Sequence, residues 1–196
     1  MSRLDDDDDK TGSSEPNAFL EQALFKARTL LLTGGIDDAQ ARRVCERLLA
    51  LGSHNSEPIL LVISSPGGHV ESGDMIHDMI KFVAAPVKVL GSGWVASAGA
   101  LVYAAAQREN RFSLPNTRFL LHEPRGGIGG QATDIEIQAQ QIIKMRERLN
   151  KIFAEATGQP LEKIKEDTDR DFWMSATEAV DYGLVGKIVN HRNEVT

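Results

Sequence analysis

A serine stands in the middle of GSGWVASAGALVYAAA, Gly91 to Ala106, a stretch that is otherwise almost entirely small and apolar. Ser97 falls where a strand pattern gives way to an alanine-rich helix pattern. At such a junction a hydroxyl can project into a cleft, and the helix N-terminus favours developing negative charge. A serine there can attack a carbonyl carbon if an imidazole takes its proton, a carboxylate orients the imidazole and N–H donors receive the oxyanion. It can equally be a small residue in a tight helix contact. Gly99 follows two positions later, but Val95 stands two before, so only half of a G-x-S-x-G elbow is present.

The partners for such chemistry are several. His122 ends an apolar strand just before Glu123 and Pro124, and an imidazole titrating near 6.5 suits a general base. His69, beside the Gly67-Gly68 turn, is a rival; His54 and His191 sit in polar loops, and His77 is expected to face away from the apolar side of its helix. The run DTDRD offers three acids, Asp167, Asp169 and Asp171, that charge alone does not distinguish. Cys45 lies on an apolar helix face with Ala41, Val44, Leu48 and Leu49 and reads as packing. No His, Cys and Asp cluster has metal-ligand spacing, so no metal is expected.

The elements that must hold these residues alternate. TLLLTGG, PILLVISSPGG, APVKVLG and TRFLLHEP read as strands, and DDAQARRVCERLLALG, GDMIHDMIKFV and the segment from about Ser97 onward read as helices. Continuous apolar strands separated by helices imply an α/β fold whose mainly parallel sheet is covered on both faces. Thr133 and Glu136 have the spacing of a capping box that opens a helix running to about Thr157, where Gly158 and Pro160 stop it. Its apolar stripe, Ile135, Ala139, Ile142, Leu149, Ile152, Phe153 and Ala156, must pack, in part against another subunit. Ser175 and Glu178 form a second box.

The 196 residues fit one domain. The net charge of −6 is uneven, with −4 in residues 1–16 and −2 in the remainder, and no basic stripe suggests a nucleic-acid partner. The first 16 residues read as a disordered acidic tail, native or tag-derived, since Asp6–Lys10 matches a cleavage sequence used in recombinant fusions. Residues 17–196 form the folded domain. No membrane span, no signal peptide and a single cysteine lead to the expectation of a soluble, cytoplasmic protein.

Five segments, SSPGG, GWVASAGA, LPNTRFLLHEP, GGIGGQATDIEIQA and TGQPLEKIKEDTDRDFWMSATEAVDYGLV, together resemble the proteolytic subunit of the Clp protease over about residues 28–190. The resemblance implies a crotonase-like α/β fold with a protruding handle at about 125–158, assembled as two stacked heptameric rings around a closed chamber. It also implies a serine endopeptidase acting on unfolded polypeptides, with Ser97 as nucleophile, His122 as base and Asp171 as the acid that orients it. Spacing alone does not bring those three together. By the same resemblance the oxyanion donors are the N–H groups of Gly68 and Ala98, the latter replacing the family's usual methionine. Arg125, Gly126, Gly127 and Ile128 begin the strand to which a peptide adds, and Arg170 pairs with Asp134 across the ring interface. The subunit itself needs no cofactor, because ATP is used by a partner, a hexameric AAA+ unfoldase. Docking of that partner is less securely implied, since the family's axial-loop sequence is not visible and tyrosine positions hold Leu60 and Val62. Two other readings stay open: a weakly active paralogue that modulates a second proteolytic subunit, and an acyl-CoA enzyme of the same fold, against which the joint presence of the three residues counts.

Overall fold

The computed structural model describes residues 15–125 and 129–195. In chain order the elements are α1 (Glu15–Lys26), β1 (Thr29–Thr33), α2 (Asp38–His54), β2 (Ile59–Ser65), α3 (Val70–Phe82), β3 (Val87–Ala96), α4 (Ala98–Ala104), β4 (Arg111–Ser113) and β5 (Arg118–Leu121). They continue with α5 (Ala132–Thr157), α6 (Leu161–Thr168), β6 (Phe172–Ser175), α7 (Ala176–Tyr182) and β7 (Lys187–Ile188). Helix α1 is absent from the sequence reading, and it starts at Glu15, inside the stretch assigned there to the tail. Asp37 caps α2 by accepting the Gln40 N–H at 2.7 Å.

The sheet runs β1-β2-β3-β4-β7, all parallel, while β5 joins the far half of β3 and β6 pairs antiparallel with β5. The long strand β3 changes neighbours along its length, pairing Val89–Gly91 with β4 and Trp94–Ala96 with β5. A bulge makes the change possible. Ile63 lies opposite Gly91 and Ser65 opposite Val95, so β3 uses four residues where β2 uses two. The glycines that read as the end of this strand instead line its bend, and the strand runs on to the residue before Ser97.

Helices α2, α3 and α4 pack on one another and on the sheet. Beneath them Ile59, Leu61 and Ile63 are fully buried, whereas the alternate residues Leu60 and Val62 are only half-buried and Leu31 is 43% exposed. Among the described residues the sheet is therefore not fully covered on both faces, contrary to the expectation from its apolar runs. An apolar run looks the same whether its second face meets a helix or another molecule. Tyr103 locks α4 in place: its buried hydroxyl donates to the Phe112 carbonyl at 2.8 Å and its ring meets Phe119 edge-on.

Helix α3 turns a different side inward from the one its apolar residues suggested. Gly73 lets Ala98 of α4 approach so closely that a Cβ would sit 3.1 Å from the Ala98 Cβ. The buried side is then Gly73, Ile76, His77 and Ile80, and Met75 is left exposed.

Helix α5 has 26 residues, about 39 Å at 1.5 Å each, yet its buried residues, Leu149, Asn150, Phe153 and Thr157, all lie in its last third. Ile135, Ile137 and Ile143 remain exposed. Arg148 fixes the inner part to α3 through two bonds to Asp74, at 2.5 and 2.6 Å. The Thr133–Glu136 box does not form, because Gln131 is already the extended residue before the helix and Thr133 lies inside it. The Ser175–Glu178 box does form, and it holds the Glu178 carboxyl below its ordinary pKa through the Ser175 N–H and hydroxyl.

Burial pushes the Cys45 thiol up to about 11, and its S–H points at the Met75 carbonyl 3.6 Å away. At pH 8 an aromatic disulfide reagent is expected to leave native protein unmodified and to titrate one thiol after denaturation. Native reaction at the denatured rate would contradict this packing.

Candidate active site

Ser97 is the residue between β3 and α4, and its backbone is strained, with φ 55° and ψ −123°. A non-glycine residue in such a conformation costs about 1–3 kcal/mol, so its surroundings must impose it. They do so from both sides: the Ser97 N–H donates to the Leu120 carbonyl at 3.0 Å, and its own carbonyl accepts from Ala100 and Leu101 at 2.9 and 3.1 Å. The space for the turn comes from Gly67. A Cβ there would lie 2.5 Å from the Ser97 Cβ and 3.0 Å from the Ala98 nitrogen. The glycine absent two residues before the serine is thus supplied by the turn after β2, a substitution in space that the local sequence does not reveal.

That turn is itself fixed. The buried Ser65 hydroxyl donates to the Gly34 carbonyl at 2.7 Å and accepts the Gly67 N–H at 3.1 Å. Ile36 donates to the Gly67 carbonyl and accepts from His69. Gly68 has φ +151°, and a Cβ there would fall 2.2 Å from the Ile36 oxygen, so only glycine fits. Among the described residues the N–H groups of Gly68 and Ala98 have no hydrogen-bond acceptor. Two unengaged amides flank the serine, as an oxyanion site requires.

Sheet register brings the other two residues near. Ala96 pairs with Leu120, and Leu121 pairs with Phe172. His122 and Asp171 are the residues that come next after that last pair, and Leu120, two residues before His122, pairs with Ala96, which precedes Ser97. Their side chains nevertheless bond elsewhere. His122 Nδ1 lies 2.6 Å from the Glu123 carbonyl oxygen, and since a carbonyl only accepts, Nδ1 carries a proton and donates it; in the neutral ring Nε2 is then the acceptor. The Asp171 carboxylate accepts from Arg125 Nη2. No hydrogen bond joins Ser97, His122 and Asp171 to one another among the described residues.

The remaining candidates sort clearly. His69 lies with the exposed Asp38 and Glu71 around the buried Ser72, whose hydroxyl is the main cause that lowers the Asp38 pKa. His77 is only 4% exposed, with Nδ1 3.0 Å from Asp78, which corrects the expectation that it faces away from the packed side. Arg170 turns to its neighbour Asp169, and Asp134 lies exposed in the first turn of α5. Gly126, Gly127 and Ile128 lie outside the described residues. Among the described residues no group of three or more His, Cys, Asp or Glu is arranged to hold a metal ion, and no helix is long and apolar enough to cross a membrane.

Comparison with known proteins adds to this geometry. A family model for Clp protease matches residues 13–192. ATP-dependent Clp protease proteolytic subunit 3 of Rhizobium etli is 58% identical over 191 residues, covering 97% of this chain and 98% of that protein. Proteolytic subunit 2 of Pseudomonas aeruginosa is 55% identical over 194 residues, with 97% and 96% covered. Among solved structures, ClpP1 from Listeria monocytogenes superposes with a TM-score of 0.82 at 51% identity, covering 90% of this chain and 99% of that one.

The contact between Gly67 and Ser97 is open to a direct test. Gly67→Ala forces a methyl group into the Ser97 Cβ at a positive-φ position. It is expected to cut the labelling rate of Ser97 by a fluorophosphonate at least about tenfold and to lower the free energy of unfolding by about 1–3 kcal/mol. An unchanged labelling rate would mean that the turn does not shape the serine.

Proposed function

The chain belongs to the Clp protease family, and from that premise we propose that it is a serine endopeptidase whose nucleophile is Ser97, base His122 and orienting acid Asp171. The observation that carries the reading is the strained Ser97 turn beside two amides without acceptors. The Ser97 side chain is half-buried, and the turn is held by backbone bonds without its hydroxyl, which leaves the hydroxyl available for chemistry. In the proposed reaction Ser97 Oγ attacks the peptide carbonyl carbon while its proton passes to His122 Nε2. The tetrahedral oxyanion accepts from the Gly68 and Ala98 N–H groups. Collapse breaks the C–N bond, the leaving amine takes the proton from His122, and water then hydrolyses the acyl-serine by the same steps in reverse. An Asp171 carboxylate on Nδ1 stabilises the imidazolium formed midway.

The backbone of Arg125 and the glycines after it would present an edge to which an extended peptide adds, tolerating many side chains. The reaction needs only protein groups of this subunit, and ATP would be consumed by a hexameric unfoldase. Assembly into stacked heptameric rings in the cytoplasm, with Arg170 meeting Asp134 of a neighbouring subunit, is supported by the open sheet face with Leu31, Leu60 and Val62 and by the exposed isoleucines of α5. A ring that needs a second proteolytic subunit for full activity is favoured by one observation, the engagement of Asp171 by Arg125.

The test is fluorophosphonate labelling and hydrolysis of a small fluorogenic peptide, read beside the assembly mass. Ser97→Ala is expected to abolish both, and Asp171→Asn to lower turnover by about 10⁴-fold. An assembled tetradecamer that is neither labelled nor active would end the endopeptidase reading. Activity appearing only on addition of a second proteolytic subunit would favour the paralogue.

A further inference from the structure

We propose that Arg125 is a positioning residue that withholds Asp171 from His122, so that the wild-type enzyme rests mostly with its triad open. The inference rests on the triad reading above and concerns the regulation of that site. Three observations carry it. The Asp171 carboxylate is bonded to the Arg125 guanidinium, and His122 has turned its Nδ1–H to the neutral carbonyl of Glu123. The β5–β6 ladder ends at the Leu121–Phe172 pair, so His122 and Asp171 are the next residues along the two strands. Each of the two side chains is held by a bond that must be exchanged for the triad to close. Finally, the segment around His122 is fixed on either side of the exchange. The Glu123 N–H donates to the Thr168 carbonyl at 2.8 Å and its carboxylate meets Arg146 at 3.2 Å.

The magnitude follows from exposure. Arg125 is 66% and Asp171 43% exposed, so their attraction is weak and screened by salt. Such a pair shifts the balance between the two partners of Asp171 by about two- to fivefold, not by orders of magnitude. It is a releasable hold. Exchange leaves the proton on His122 Nδ1 throughout, and only its acceptor changes, from carbonyl to carboxylate.

The experiment compares wild type, Arg125→Gln, Asp171→Asn and the double variant. The readouts are Ser97 labelling by an uncharged fluorophosphonate and hydrolysis of an uncharged fluorogenic peptide, with assembly mass recorded in each case. At low ionic strength Arg125→Gln is expected to react about two- to fivefold faster than wild type. Raising the salt to about 0.5 M is expected to speed the wild type by a similar factor and to leave Arg125→Gln unchanged. With Asp171→Asn in the background, the Arg125 effect should vanish. A wild type that labels at Ser97 while Arg125→Gln is no faster, or slower, at equal assembly mass overturns the inference and leaves the triad reading intact. If Arg125→Gln fails to assemble, a wild type without salt stimulation overturns it instead. Absence of Ser97 labelling in every assembled form would defeat the triad reading itself.

Discussion

The contact between Gly67 and Ser97 is the constraint on which the rest of the site depends. A side chain at Gly67 would overlap the serine, so the strained turn at Ser97 exists only while the loop after β2 stays where Ser65, Gly34 and Ile36 hold it. That loop in turn is fixed because β1 and β2 lie in parallel register up to Thr33 and Ser64. The strain of one residue is thus balanced by a network spread over three strands. The same packing leaves the Gly68 and Ala98 amides beside the hydroxyl, so the proposed nucleophile and oxyanion site are set by a single close approach.

The long elements were legible in the sequence because their periods are long enough to read. β1, β2 and α2 to α5 stand close to where their patterns set them, and Ser175 and Glu178 form the box that their spacing implies. The strands β4, β6 and β7 have two to four residues, too few for any period to appear. Thr133 and Glu136 carry the right spacing at the wrong place, since a cap also needs an extended backbone, and Gln131 has it. His77 was misjudged because helix orientation is set in three dimensions: the missing side chain of Gly73 brings α4 close and rotates the packed side of α3. For the site, residue types raised Ser97 and His122, while family resemblance alone chose Asp171 among three acids. What remained invisible was side-chain competition. Nothing in the order HEPR says that the guanidinium of Arg125 takes the carboxylate of Asp171 while the histidine turns to the carbonyl next to it.

Two surfaces of the described chain are left open. Among the described residues one face of β1 and β2 carries aliphatic side chains that are only partly covered, and the first two-thirds of α5 has no buried residue, with isoleucines in solvent. Both lie away from the fully buried layer under α2 to α4, so the domain can hold its shape while offering these surfaces to others.

The way α5 is held has a mechanical meaning. A rod of about 39 Å gripped only near one end is a lever, and its fulcrum is the packed turn at Leu149 and Phe153. Arg146 lies just beyond that fulcrum on the free arm, tied to Glu123, the residue whose carbonyl holds the imidazole of His122. A sideways push of several ångströms at the tip therefore arrives at Arg146 as a movement of a fraction of an ångström. That is a small displacement, but of the size over which a hydrogen bond to His122 is kept or lost.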